Sequence, residues 1–205
     1  MDILPTIARR ARFPRLRRLW DNRRGVAAIE FALIAPLLLT MYFVTMEVAP
    51  AIDTSKKVGR SASMIADLIT QQQAVTATDI EAIMQIGNAT LQPYSRTKLT
   101  VTVTAIEITD EDAPKVKASW SRRMENAAYS RPFAVDSLTT VPAALKVRNS
   151  FLVRVQTKLR YTPMIAWSDD AKEATGLLAA FSEINMGETY YLRPRMSSKV
   201  TCTGC

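Results

Sequence analysis

Hydrophobic and polar positions follow two regimes along the chain. From Val26 to Met46 every residue is apolar or weakly polar except one, Glu30. At the helical rise this run spans roughly 30 Å, the thickness of a bilayer core. The pattern predicts a single helix from Val26 to about Gln72. Pro36 and Pro50 fall inside it, and each removes a backbone hydrogen bond, so a kink is expected at both. Glu47 falls at the far end of the apolar run, where an interfacial position without a specific role is expected. Beyond Pro50, Val58, Ala62, Ile65 and Ile69 recur at helical spacing, with Lys56, Lys57, Arg60 and Asp67 on other faces. Such a stripe needs a covering layer.

The second regime has period two. A short helix intervenes first, over Thr76 to Asn88. Thr78-Asp79-Ile80-Glu81 reads as its capping box, Ile80, Ile83 and Met84 share a face, and Gly87-Asn88 is the expected stop. Lys98 to Ile108 then alternates as a strand, and its apolar phase flips at Ala105-Ile106, as at a bulge or at the strand's exit. An acidic turn over Thr109 to Pro114 leads into a return strand through Val116, Ala118 and Trp120. Residues 122–146, with Pro132 and Pro142, have no strong period. Val147 to Tyr161 is the clearest strand: Phe151, Val153, Val155, Leu159 and Tyr161 on one face, Arg154, Gln156, Lys158 and Arg160 on a face expected to be wet. Asp169 or Asp170 is positioned to cap a helix from Ala171 to about Phe181, which Gly187 would close off. Tyr190 to Val200 reads as a last strand that Pro194 confines to an edge, a docking place for a neighbouring subunit.

Charge changes the picture at one end only. The formal net charge is +8. Residues 1–25 hold eight arginines and two aspartates, a net +6, which leaves +2 for the other 180 residues. The high isoelectric point therefore belongs to the leader. Beside an apolar span, an arginine-rich arm is accounted for by cytoplasmic retention and attraction to anionic lipid, so no nucleic-acid partner is expected. With Ile7, Phe13, Leu16, Leu19 and Trp20 among the arginines, part of this arm suits the inner leaflet as an amphipathic helix.

Chemistry-bearing motifs are few. The chain has no histidine, which removes Ser–His–Asp and Cys–His catalysis and the commonest metal ligand. No nucleophile–base pair or phosphate-binding glycine loop is visible, so no enzymatic activity, cofactor, metal or small-molecule substrate is expected. The two cysteines, Cys202 and Cys205, are compatible with a disulfide or a clamp to a partner, with a free tail pair, or with redox or metal chemistry. Asn88-Ala89-Thr90 fits a glycosylation sequon, a match short enough to arise by chance.

The block Arg24-Gly25-Val26-Ala27-Ala28-Ile29-Glu30-Phe31, continuing through Ala32-Leu33-Ile34-Ala35-Pro36-Leu37-Leu38, is the most specific motif. Two arginines and a glycine precede an apolar stem whose one carboxylate stands at the fifth position after Gly25. A carboxylate inside lipid is costly and marks a functional position. Cleavage after Gly25 would give Val26 an ammonium for Glu30 to pair with. The block resembles a class III prepilin signal, and more narrowly the TadE/TadG-like proteins of the tight-adherence (Tad, Flp) pilus system. The close similarity covers Arg23 to Ile69. Weaker echoes occur at Ala118-Ser119-Trp120-Ser121, Tyr161-Thr162-Pro163 and Arg193-Pro194-Arg195.

The resemblance implies a pilin-like α+β fold, a long N-terminal membrane-spanning helix packed on a small antiparallel sheet with short helices. It implies a cytoplasmic basic leader over 1–25, a transmembrane helix over 26–50 and a periplasmic domain over 51–205. It further implies a minor pilin or pseudopilin, cut between Gly25 and Val26 by a prepilin peptidase, with Glu30 and Phe31 serving subunit docking. Membrane lipid, the peptidase, other Tad pilins and the inner-membrane assembly platform would be its partners. The location would be the bacterial inner membrane, N-terminus cytoplasmic, or the pilus itself. Three other readings remain open: an uncleaved single-pass periplasmic subunit or chaperone, a secretory signal cut near Ala49-Pro50-Ala51, and a periplasmic hydrolase.

Overall fold

The computed structural model describes residues 25–163 and 184–205. The arginine-rich leader up to Arg24 and the expected helix after Asp169 lie outside the described residues. Two compact units divide between Met46 and Glu47. The fold is α+β, a long apolar N-terminal helix packed on a small antiparallel sheet with short helices.

Helix α1 runs Val26–Thr70 as one α-helix. It continues through both Pro36 and Pro50 without a break. Within the first unit its large apolar side chains are exposed, Phe31 at 71% and Leu33 at 73%. This is the stretch long and apolar enough to cross a membrane.

In the second unit the rest of α1 turns one face inward. Val58, Ala62, Ile65 and Ile69 are fully buried, as the stripe requires, and the stripe extends back through Thr54 and Ala51 to Glu47. Burying each isoleucine contributes roughly 1.5–3 kcal/mol. Strand β1 (Ala74–Thr76) leads into helix α2 (Ala77–Thr90). The cap of α2 lies two residues before the expected one. Thr76 is the N-cap, its hydroxyl accepts from the Asp79 N–H, and the Asp79 carboxylate accepts from the Thr76 N–H. Thr78 could not take that part, because it is already inside the helix. Gly87-Asn88 does not end α2 either. Gly87 is buried where a Cβ would stand 3.0 Å from Leu99 Cδ2 and 3.2 Å from Ile65 Cδ1, so its smallness serves packing. Asn88 Oδ1 accepts from the Leu99 N–H and its Nδ2 donates to the Met124 sulfur at 4.0 Å, so the side chain is engaged inside the domain.

The sheet comprises β2 (Thr100–Ile108), β3 (Val116–Glu125), β4 (Ala128–Ser130), β5 (Ser150–Tyr161) and β6 (Ile184–Leu192), in the order β4-β3-β2-β5-β6 with antiparallel neighbours throughout. The β2–β3 register shifts between Ala105 and Ile106, so the phase flip marks a bulge and not the strand's exit. Before it, Val101, Val103 and Ala105 face the main core with Trp120, Met124, Val153 and Val155. After it, Ile106 and Ile108 join Val116 and Leu152 on the other face. A short strand β7 (Thr201–Thr203) pairs in parallel with β1. Trp120 donates its indole N–H to the Val200 carbonyl at 2.9 Å and ties this tail to the core.

One open stretch is filled and two expectations are corrected. The aperiodic stretch from residue 122 begins inside β3 and contains β4 and a 3₁₀ turn, Ala143–Leu145. The last sheet strand is Ile184–Leu192, not Tyr190 to Val200: it contains Gly187 and stops before Pro194. It is an edge strand, as expected. The outer face of β5 is wet along only part of its length. Val141, Leu145 and Tyr191 pack over Leu152 and Ile106, and Arg154 is buried at 5% exposure. Its guanidinium donates to the Thr140 carbonyl and the Thr139 hydroxyl and stacks over Phe133, 5.4 Å from the ring centre. The bulge causes this, because it sends two isoleucines to a face otherwise polar, and they need cover.

Candidate functional site

The residues singled out for processing and docking stand at the start of α1. Gly25 immediately precedes the helix, is exposed, and has nothing within 4 Å of where a Cβ would be. Val26 is the first helical residue, so Glu30, four residues on, lies one turn above it on the same helical face. Glu30 is exposed, as are its neighbours Ile29 and Phe31. Among the described residues no ion pair or hydrogen bond to the Glu30 carboxylate occurs. The helix is thus continuous from the glycine, with a carboxylate in its second turn and apolar side chains from there to Met46.

A second carboxylate, Glu47, is the first residue of the folded unit. It was expected at an interface; instead it is buried at 5% exposure. The Tyr161 hydroxyl donates to its Oε1 at 3.2 Å. Tyr161 is itself fully buried and stacks on Tyr94 with ring centres 5.0 Å apart. The Tyr94 hydroxyl is in hydrogen-bond contact with Thr97 and Thr162, and it accepts from the Thr162 N–H. Burial, and next the Glu47 charge, push the Tyr161 hydroxyl up to about 12. The C-terminal end of β5 is thereby joined to the first residue after the apolar run. A cut near Ala49-Pro50-Ala51 would sever α1 within its packed part and detach Glu47 from Tyr161, which weighs against the secretory reading.

Sequence reasoning missed this contact, although a signal was present. Extending the stripe from Val58 backwards at helical spacing passes Thr54 and Ala51 and reaches Glu47. A carboxylate in register with a buried stripe calls for a donor, and Tyr161 closes the inward face of the clearest strand.

Cys202 and Cys205 come together at the C-terminal end, with Cα atoms 5.7 Å apart and the sulfurs adjacent. Cys205 is buried in the main core and Cys202 packs against its edge. No group of three or more His, Cys, Asp or Glu side chains that could hold a metal ion occurs among the described residues.

Among the described residues, these features define a protein with an apolar span followed by an α+β domain whose core begins at the residue after the span. The family model for TadE-like proteins matches residues 25–67, from the glycine at the head of α1 to Asp67 near its end. The chain therefore carries a TadE-like segment. No curated protein and no solved structure matches the chain.

Proposed function

We propose that the chain is a minor pilin or pseudopilin of a tight-adherence pilus system. The observation that carries this reading is the coincidence of the TadE-like segment with one unbroken helix that opens at Gly25-Val26 and holds Glu30 at its second turn. A prepilin peptidase cuts between Gly25 and Val26. The new Val26 ammonium is then available to the Glu30 carboxylate of an adjacent subunit, and Phe31 packs beside it. Within lipid this pairing offsets the cost that an isolated carboxylate carries, about 3 kcal/mol on insertion scales.

The arginine-rich leader stays cytoplasmic, the helix spans the inner membrane from Val26 to about Met46, and the domain from Glu47 on lies in the periplasm. There Cys202 and Cys205 form a disulfide, in keeping with an oxidising compartment. The partners are membrane lipid, the peptidase, other Tad pilins and the assembly platform. The subunit works by docking, and carries out no catalysis.

The test is to replace Glu30 with Ala and follow both cleavage and assembly in cells. Processing is expected to continue while incorporation into the pilus, or piliation itself, falls. Normal assembly of Glu30→Ala subunits would end the docking role. A subunit that works with its leader attached would instead favour an uncleaved, membrane-anchored periplasmic component.

A further inference from the structure

The other half of the outer sheet face forms, among the described residues, a groove of about 980 Å³. Its floor is β2 and β5, and it is walled by the β3–β4 turn on one side and β6 on the other. Lys98 and Lys158 are exposed within it, and Arg123 is half-buried, its Nε donating to the Thr102 hydroxyl. No ion pair engages Lys98, Lys158 or Arg123 among the described residues. Glu125 is the acid at the rim. Between the cations the surface is made of hydroxyls and amides, with Thr100, Gln156 and Asn126 as examples. No described lining residue is aromatic.

We infer that this groove binds an acidic polysaccharide of the polyuronate class. The size is at the upper end for small-molecule sites and the form is open, which suits an extended polymer. Five cations line the groove, Arg96, Lys98, Arg123, Lys158 and Arg160, and separated cations on one face call for repeated negative charge. The lining then selects the kind of polyanion. Single-stranded nucleic acid is held largely by aromatic stacking platforms, and none is present. A polyphosphate only accepts hydrogen bonds, so the carbonyl oxygens of Gln156 and Asn126 would be left unmatched. A polypeptide docks on a sheet chiefly by adding to a strand edge. The floor strands β2 and β5 are each paired on both sides, so their backbone groups are already consumed. A uronate chain carries carboxylates for the cations and hydroxyls that both donate and accept for the amides and threonines. It requires nothing from the sheet backbone.

The full chain in detergent micelles, titrated calorimetrically with polygalacturonate oligomers, tests this. Binding is expected to weaken as salt rises and to fall about tenfold for Lys158→Glu and for Lys98→Glu, the size of one lost charge-assisted contact. Lys146→Glu, an exposed charge outside the groove, should bind as the parent does. Gln156→Ala should weaken polygalacturonate binding while leaving any residual binding of poly-glutamate unchanged. Both lysines are exposed, and a circular-dichroism melt establishes that each variant is folded. Absence of polygalacturonate binding would overturn the inference. So would binding that Lys158→Glu leaves intact, or equal or tighter binding of poly-glutamate, polyphosphate or single-stranded DNA. The result does not depend on leader processing, so it stands or falls separately from the pilin reading.

Discussion

Replacing Tyr161 with Phe removes one oxygen and tests what joins the first residue of the folded unit to the end of β5. The ring remains, so the stacking on Tyr94 at 5.0 Å is kept. What is lost is a donor to Glu47 Oε1, at 3.2 Å, inside a site where Glu47 is 5% exposed. A hydrogen bond to a charged group contributes about 1.5–3 kcal/mol, and the larger figures apply where the group left behind is buried. Taking about 2 kcal/mol, and about 2–4 °C per kcal/mol for a domain of this size, Tyr161→Phe should lower the melting temperature by about 4–8 °C. Differential scanning fluorimetry of the full chain in detergent measures it. Glu47→Gln retains an acceptor but removes the charge, so the double variant completes a cycle. The two substitutions should be coupled by about 1 kcal/mol or more. A melting temperature for Tyr161→Phe within 1 °C of the parent, or strict additivity, would refute the claim that this contact anchors the fold.

Three further outcomes follow from the same structure. Because the Tyr161 hydroxyl is pushed up to about 12 in the folded state, the unfolded chain releases this proton first; stability should be unaffected below pH 10 and fall between pH 10 and 12, by up to about 1.4 kcal/mol per pH unit, and Tyr161→Phe should flatten that limb of the pH–stability curve. Thr76→Ala removes the N-cap hydroxyl of α2 and should cost about 1 kcal/mol by chemical denaturation; Asp79, held below its ordinary value by its hydrogen bonds to the Thr76 side chain and backbone, adds stability above the carboxylate range that is lost as pH falls through its folded value, an acid limb that Thr76→Ala should reduce. Gly87→Ala places a methyl 3.0 Å from Leu99 and 3.2 Å from Ile65 and should destabilise by about 1–3 kcal/mol, whereas an alanine at exposed Gly25 should leave the melting temperature unchanged.

Local patterning disclosed much of this architecture because the elements near the core have strong periods. The stripe Val58, Ala62, Ile65, Ile69 reads as a helix face and the alternation along Lys98 to Ile108 as a strand, and the phase flip marked Ala105-Ile106 as a bulge or an exit, between which the register shift decides. What escaped was set by distant partners. Arg154 alternates with buried residues as any wet-face cation does. Its burial follows from where residues 133–145 cross the sheet, and no local period encodes that path. Glu47 was misread because its donor is 114 residues away. The cap of α2 was displaced by two residues because Thr76 and Thr78 offer the same hydroxyl, and only the entry of β1 decides between them. Nor could the basic groove be seen in a list of charges. Lys98 comes from the segment before β2, Arg123 from β3 and Lys158 from β5, and the topology alone brings them to one face.

The account turns on Gly25, Val26 and Glu30, whose positions at the head of α1 were legible in full from the motif. Intact-mass analysis of the protein recovered from the membranes of cells carrying a working pilus system tests it most directly. A mature chain beginning at Val26 is the predicted result. A chain that still begins at Met1 in functioning cells would contradict it, since Glu30 would then have no new ammonium to meet.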